Sequence, residues 1–286
     1  MSKAFGSIDS HLNTVFLLLA LSLTLASCNK DLDMTVLNKT LFEDVAFGAI
    51  AVEDAWEVTV IQDSLKRGVK IEYSAFLEEY LKVKQEGNEL TIGFTNRLNI
   101  PSATVFRAMV YVPTLQSITL TEAAQLTLEG KFFAEQFHVT VDQASVIRGG
   151  TFIGQDAEIV LDNASTWVDL AAEVERCQVT TQNTSVFKGR ILASGSLNLH
   201  LDNASRMTLY GDSAPQASAS LTSASVLNML SVEVEDLEIQ LNKASEASVN
   251  VSGKLHGTLN EASVLYYQGH PDLDLDCDLT SSYRPL

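Results

Sequence analysis

The chain has 286 residues, a formal net charge of −17 and 46% hydrophobic residues, with only 5 prolines and 15 glycines. That composition excludes a disordered, collagen-like or low-complexity chain, and a mean hydropathy of +0.10 excludes a polytopic membrane protein. A body this acidic repels phosphate backbones, which argues against a nucleic-acid partner.

Residues 1–27 read as a targeting segment. Val15 to Leu25 is an apolar run of eleven residues broken only by Ser22 and Thr24. A bilayer span needs about 20 residues, so the run fits the core of a signal peptide behind Lys3. It ends in Leu25-Ala26-Ser27-Cys28, which resembles a bacterial lipobox and makes Cys28 the expected lipidation site. The expected address is the cell envelope, as an outer-membrane lipoprotein that meets the membrane through its lipid. Residues 28–41, opening with Asn29-Lys30-Asp31-Leu32-Asp33, are expected to form a polar tether.

Residues 42–286 are expected to form one domain, irregular over 42–115 and regular over 116–286. In the first part, Val52-Glu53-Asp54-Ala55-Trp56, followed by Val58 and Val60, reads as a degenerate coil of the repeat described next. Leu81-Lys82-Val83-Lys84, a turn at Glu86-Gly87-Asn88, and Leu90-Thr91-Ile92 read as a β-hairpin. Phe106 to Val112 reads as a strand stopped by Pro113. These strands should continue or cap a solenoid, whose open end must be covered.

From residue 120 onward one five-residue word recurs. It reads Leu120-Thr121-Glu122-Ala123-Ala124, Val141-Asp142-Gln143-Ala144-Ser145 and Leu161-Asp162-Asn163-Ala164-Ser165, and it runs on to Leu259-Asn260-Glu261-Ala262-Ser263. The last residues of its eight copies are spaced 21, 20, 20, 20, 20, 20 and 18. Six before that residue stand Ile118, Val139, Ile159, Val179, Leu199, Ala219, Ile239 and Gly257, with polar or small residues on either side. Two after it stand Leu126, Ile147, Trp167, Phe187, Met207, Leu227, Ala247 and Leu265. Apolar residues thus alternate with polar ones, which makes strands. A fixed period stacks like on like, with coils about 4.8 Å apart. The fold predicted is all-β, a right-handed parallel β-helix of about 20 residues per coil. The small residues of the word belong at a corner, where a hydroxyl can satisfy carbonyls. Four after the Ser, Leu128, Leu209, Met229 and Val249 look inward but Gly149, Asp169 and Gly189 do not, so the second strand should bend or shorten there.

Phe47-Gly48-Ala49-Ile50-Ala51-Val52, Trp56-Glu57-Val58-Thr59-Val60 and Asn88-Glu89-Leu90-Thr91-Ile92 resemble the opening of a known family. Ala262-Ser263-Val264-Leu265-Tyr266-Tyr267-Gln268-Gly269-His270-Pro271 is similar to its ending. The family is DUF2807, the putative auto-transporter adhesin head GIN domain, common in Bacteroidetes lipoproteins. The resemblance covers about residues 42–286. It implies a β-helical fold and an outer-membrane or surface setting, and it brings no catalytic residues.

No phosphate loop, nucleophile elbow or zinc-protease motif occurs, and the histidines lie on separate coils. No metal or cofactor is therefore expected. The candidate binding face is the outward wall seven, five and three residues before each Ser: His138, Thr140, Asp142, Glu158, Asp162, Thr180, Gln182, His200, Asp202, Gln240 and Asn242, with Gln178, Asn198 and Glu238 beside them. Short side chains on a flat sheet suit a repetitive ligand such as a glycan, bound by many weak hydrogen bonds. Asp142 and Asp162 stack on neighbouring coils and read either as a weak cation site or as part of a polar ladder. The column's continuation as Gln182, Asp202, Thr222 and Asn242 favours the ladder. Arg148, Lys188, Arg190 and Arg206 form a second candidate patch, for acidic glycan or lipid headgroups. The function expected is a lipid-anchored, non-catalytic binding or adhesion module for a glycan, matrix or envelope partner. The alternatives are a polysaccharide-active lyase or hydrolase on the same scaffold, and a structural envelope spacer. Cys177 falls in an inward column about five coils from Cys277, so no disulfide is expected between them.

Overall fold

Residues 32–286 are described by a computed structural model; the segment read as a targeting signal and Cys28, the expected lipidation site, lie outside the described residues. The period-two pattern emerges as strands throughout. In chain order they are β1 (Val36–Leu41), β2 (Ala49–Val52), β3 (Glu57–Gln62), β4 (Gly68–Ser74), a 3-10 helix at Ala75–Tyr80, β5 (Leu81–Glu86), β6 (Glu89–Phe94), β7 (Phe106–Val112) and β8 (Ser117–Leu120). Long bent strands follow, one for each coil: β9 (Gln125–Val141), β10 (Val146–Leu161), β11 (Thr166–Thr181), β12 (Val186–Leu201), β13 (Arg206–Leu221), β14 (Val226–Leu241) and β15 (Glu246–Leu259). The chain closes with β16 (Val264–Gln268), β17 (Asp272–Cys277) and β18 (Ser282–Pro285). Neighbouring coils pair in parallel, β9 to β10 and on to β15, in a β-solenoid.

Each coil has three walls. In β10 they are Val146–Gly149, Thr151–Gly154 and Asp156–Leu161, separated where the register shifts between Gly149 and Thr151. The expected bend is real: Gly149, Gly150 and Asp169 have φ of 70°, 90° and 63°. Inward residues are buried, Trp167 and Phe187 at 0% exposure. Phe132, Phe152, Trp167 and Phe187 contact edge to face from coil to coil, with centroids 5.8–6.2 Å apart. The Trp167 indole N–H donates to Gly149 O at 3.3 Å. At Gly257 the inward column gives up its side chain. Its φ is 141°, and a Cβ there would lie 1.8 Å from Ile239 O.

The five-residue word forms the corner between the third wall and the first. Its third and fourth residues both take the left-handed conformation, as at Asn163 and Ala164 (φ 49° and 64°) or Asn203 and Ala204 (50° and 60°). That costs a non-glycine residue about 1–2 kcal/mol. The cost is offset because the corner carries on the inter-coil ladder: Ala164 N donates to Asn183 O, and Thr184 N to Asn203 O, each at 2.9 Å. The closing serines are buried, and Ser205, Ser225, Ser245 and Ser263 donate Oγ–H to the carbonyl three residues back at 2.6–2.7 Å.

The N-terminal region both continues and caps this stack. β2 and β3 form a coil around the Val52–Trp56 word and pair with β8 and β9. β6 and β7 form a further coil beyond it, although they come later in the chain. Antiparallel strands then finish each wall, β5 on β6 as the expected hairpin, and β4 on β7. Val36–Leu41, assigned from sequence to the tether, is instead strand β1, antiparallel to β4. Its side chains are largely exposed, so it lacked the buried alternation that marks the other strands. Cys177 is buried with its thiol pushed up to about 12 by desolvation, and both it and Cys277 are free. The register Cys177–Leu197–Ala217–Leu237–Leu255–Leu273 puts Cys277 five coils away.

Candidate functional site

The third wall presents the outward columns read from the sequence. His138, Glu158, Gln178, Asn198 and Glu238 are exposed, and Thr140, Thr180 and His200 are half-buried beside them. Strand pairing sets His138 next to Glu158, Glu158 next to Gln178, and Gln178 next to Asn198. Asp142, Asp162, Gln182, Asp202 and Asn242 fall just past the strands, at the corner.

The wall is not flat. A depression of about 440 Å³ runs over β9 to β12, lined by His138, Asp156, Glu158, Arg176, Gln178 and Asn198. A second, of about 370 Å³, runs over β12 to β15, lined by Asn198, Gln216, Ser218, Glu238, Lys254 and His256. They share Ser196 and Asn198 and form one trough along the solenoid axis. Its middle is neutral and small-sided. Its first end is charged and internally paired: His138 Nδ1 lies 3.2 Å from Glu158 Oε2, and Arg176 grips Asp156 through Nε at 2.6 Å and Nη2 at 3.0 Å. Asp156 and then Glu175 hold the Arg176 guanidinium more firmly protonated than usual. At the far end Asp236 accepts the Lys254 amide at 3.1 Å.

Of the residues expected to form the binding face, His138 and Glu158 line the trough, and so do Gln178, Asn198 and Glu238 beside them. Thr140, Asp142, Asp162, Thr180, Gln182, His200, Asp202, Gln240 and Asn242 stand on the corner side of it, outside its lining. Sequence reasoning missed the column nine before each Ser: Gln136, Asp156, Arg176, Ser196, Gln216, Asp236 and Lys254. One more step of the same alternation reaches it. The register irregularities before Arg176 and Asp236 mark it as the first column of the third wall.

Asp142 and Asp162 resolve as a ladder whose donors come from the neighbouring column. Asn163 Nδ2 donates to Asp142 Oδ1 at 2.7 Å, Asn183 Nδ2 to Asp162 Oδ1 at 2.6 Å, and Asn203 Nδ2 to Asn183 Oδ1 at 2.9 Å. Among the described residues, no three His, Cys, Asp or Glu side chains cluster as metal ligands.

The basic residues lie elsewhere, exposed on the bend and the first wall. Arg148 and Lys188 share a column, two coils apart across Val168. Arg206 opens β13, and Arg190 pairs with Tyr210, whose ring lies 5.6 Å from Lys188 Nζ. Among the described residues, no helix is long and apolar enough to cross a membrane.

The family described as "Putative auto-transporter adhesin, head GIN domain" (DUF2807) matches residues 46–271. No curated protein matches the chain. Among solved structures, one described as a putative adhesin from Parabacteroides merdae is 13% identical, with a TM-score of 0.63 over 88% of this chain and 96% of that one. Another putative adhesin, from Parabacteroides distasonis, is 12% identical with a TM-score of 0.65 over 89% and 98%. A "putative lipid binding protein" from the same species is 10% identical with the same TM-score over the same shares. At these identities the likeness is one of fold.

Proposed function

Because the chain belongs to the auto-transporter adhesin head GIN domain family, DUF2807, we propose that it is a non-catalytic envelope adhesin that holds a linear glycan along its third wall, anchored in the outer membrane through Cys28. The observation that carries this reading is the trough, continuous over coils of equivalent geometry. A groove that repeats along one axis matches a ligand that repeats along its length. Its neutral centre of Ser196, Asn198, Gln216 and Ser218 offers donors and acceptors to hydroxyl groups without the cost of burying charge. It lies open to solvent, which suits binding and not chemistry that must exclude water.

The test is a glycan screen with the chain from residue 29 onward, repeated on two variants. Ser196→Trp blocks the trough where its halves meet and should abolish binding. Replacing Asp162, Thr180, Gln182, His200 and Asp202 together with Ala alters only the corner side and should leave binding in place. The reverse result would move the site to the corner side, and retention by both variants would move it to Arg148, Lys188, Arg190 and Arg206. The anchor has its own check: Cys28→Ala should release the protein from the membrane fraction and abolish metabolic lipid labelling.

The cluster of Asp156, Glu158, Arg176 and His138 favours a second reading, a polysaccharide-active enzyme. A lyase of this scaffold would need a cation-assisted arginine base. Asp156 and then Glu175 favour the charged form of Arg176, the opposite of what an arginine base needs, and this supports the adhesin reading. Release of oligosaccharide fragments from a bound polymer would establish the enzymatic reading over the adhesin.

A further inference from the structure

The head of the corner column departs from the rule that its middle obeys. At Asn163, Asn183 and Asn203 an amide stands at the third position of the word and donates to a neighbour's side-chain oxygen. At the head of that column, Asp54 and Glu122 stand on adjacent coils, both left-handed (φ 57° and 56°), and Ala55 N donates to Glu122 O at 2.9 Å. Here a carboxylate meets a carboxylate. Asp54 keeps its Oδ2 on the Phe94 amide at 2.8 Å. Burial raises its pKa, and Glu122 adds to the rise.

A second departure coincides with the first. The coil of β6 and β7 has no five-residue word; residues 95–105 span the corner instead. Beside them lies a surface cavity of about 760 Å³, wider open to solvent than the trough, whose apolar side is formed by Phe94, Leu98, Ile100 and Phe106. Thr104 also lines it, and its Oγ1 is shut off from solvent with no hydrogen-bond partner in the protein. The insertion itself delivers a cation: Arg97 Nη2 lies 3.4 Å from Glu122 Oε1, while the Arg97 side chain is 91% exposed. The acid pair therefore accepts a positive group, and the one it holds is weakly tethered.

We propose that this cavity binds an alkylammonium ligand, its cationic head on Asp54 and Glu122 and its apolar stem along Leu98, Ile100 and Phe106. An anion would be repelled by the two carboxylates. A neutral ligand would add no positive charge to a pair offset only by the Phe94 amide, the exposed Arg97 and the field of Lys82. A bare cation would leave the apolar side wet. The site lies at the N-terminal end of the corner column, away from the trough, and does not depend on the glycan reading.

The experiment is a calorimetric titration of the full-length protein with hexylammonium, 1-hexanol and hexanoate. Hexylammonium should bind saturably, and the neutral and anionic counterparts much more weakly. The double variant Asp54→Asn, Glu122→Gln keeps the acceptor for the Phe94 amide and should weaken hexylammonium binding about tenfold, the loss expected for hydrogen bonds to a charged group. Arg97→Ala removes the competing guanidinium and should tighten binding roughly two- to fivefold, the value of an exposed ion pair. Equal affinity for 1-hexanol, or weaker hexylammonium binding by Arg97→Ala, would overturn the assignment. Should the double variant fail to fold, the three-probe comparison and Arg97→Ala still decide it.

Discussion

The regular coils and the N-terminal coils share walls, and the coil of β2 and β3 keeps the same corner, but the two regions are stabilised differently. From β9 to β15 each coil is covered on both sides by a near-copy of itself, so one set of contacts serves many times. The Phe132–Phe152–Trp167–Phe187 run is such a set. In the N-terminal part the neighbours are unlike. Trp56 sits instead in a local cluster with Phe94 and Phe106, at 5.5 and 5.9 Å, contributed by a coil that comes later in the chain. Repetition lets a column be tuned as a whole, whereas the irregular end must solve each contact singly. The two tryptophans show the difference: the buried Trp56 Nε1 has no partner, while the Trp167 N–H has Gly149 O; the regular coils leave small hydroxyls unmet instead, at Ser145, Ser165 and Thr181.

The largest expected effect tests that contrast at the two tryptophans. Either Trp→Ala change should cost about 3–5 kcal/mol, read as a lower urea midpoint. The conservative change separates the regions. Trp167→Phe abandons the Gly149 carbonyl and should destabilise by about 1–3 kcal/mol, the cost of an unmet buried group. Trp56→Phe removes an N–H that is already unmet and should be near neutral. If Trp56→Phe costs as much as Trp167→Phe, the two regions are held in the same way and the comparison fails.

The corner column gives the next effect. Asn183 donates to Asp162 and accepts from Asn203, and its left-handed backbone suits asparagine. Asn183→Ala should cost about 1–2 kcal/mol through both hydrogen bonds. Glu122→Ala, at the equivalent position beside Asp54, relieves a carboxylate contact and should cost less, in the same denaturation measurement.

The regular coils were legible because their signal is repeated. A period near 20 with Ile159, Val179 and Leu199 in register is enough to specify parallel stacking, and the word predicts its own corner. The irregular region was only partly legible. The hairpin at Glu86-Gly87-Asn88 and the strand ending at Pro113 are local signals and could be read. The order in which β6 and β7 lie outside β2 and β3 is a long-range choice with no local mark. β1 escaped notice because an edge strand exposed on both faces shows no alternation. Of the trough, His138, Glu158, Gln178, Asn198 and Glu238 were visible as outward positions. Its charged pair, Asp156 and Arg176, lies one step of the alternation further from the Ser, next to the irregularity where the wall ends, and so fell outside the columns read. The cavity beside residues 95–105 could not be read, because it depends on where an unrepeated segment falls.

The smallest effect turns on two aspartates at corners of opposite ends. Asp54, at the irregular end, has a pKa raised above the ordinary 3.8, chiefly by burial and further by Glu122, against the opposing Phe94 amide and Lys82. Asp278, at the last corner, has its pKa pulled down, chiefly by the Glu261 amide at 2.7 Å and also by Thr280 and Ser281. The signs of their pH dependence are therefore opposite. The native state holds the Asp54 proton more tightly than the unfolded chain does. Its contribution is present below the unfolded value and is lost as pH rises through the folded one, leaving the ionised form slightly unfavourable at pH 7. Asp54→Asn should then raise the melting temperature at pH 7 and give no gain near pH 3. The native state holds the Asp278 proton less tightly. Its contribution is present above the unfolded value and fades as pH falls towards the folded one. Asp278→Asn should lower the melting temperature at pH 7, and the deficit should shrink with acidification. Melting curves of the two variants from pH 3 to pH 7 should therefore diverge from the parent in opposite directions. Curves that shift together would mean that both corners are governed by geometry alone, and that the carboxylate pair at Asp54 is no more strained than the asparagine ladder below it.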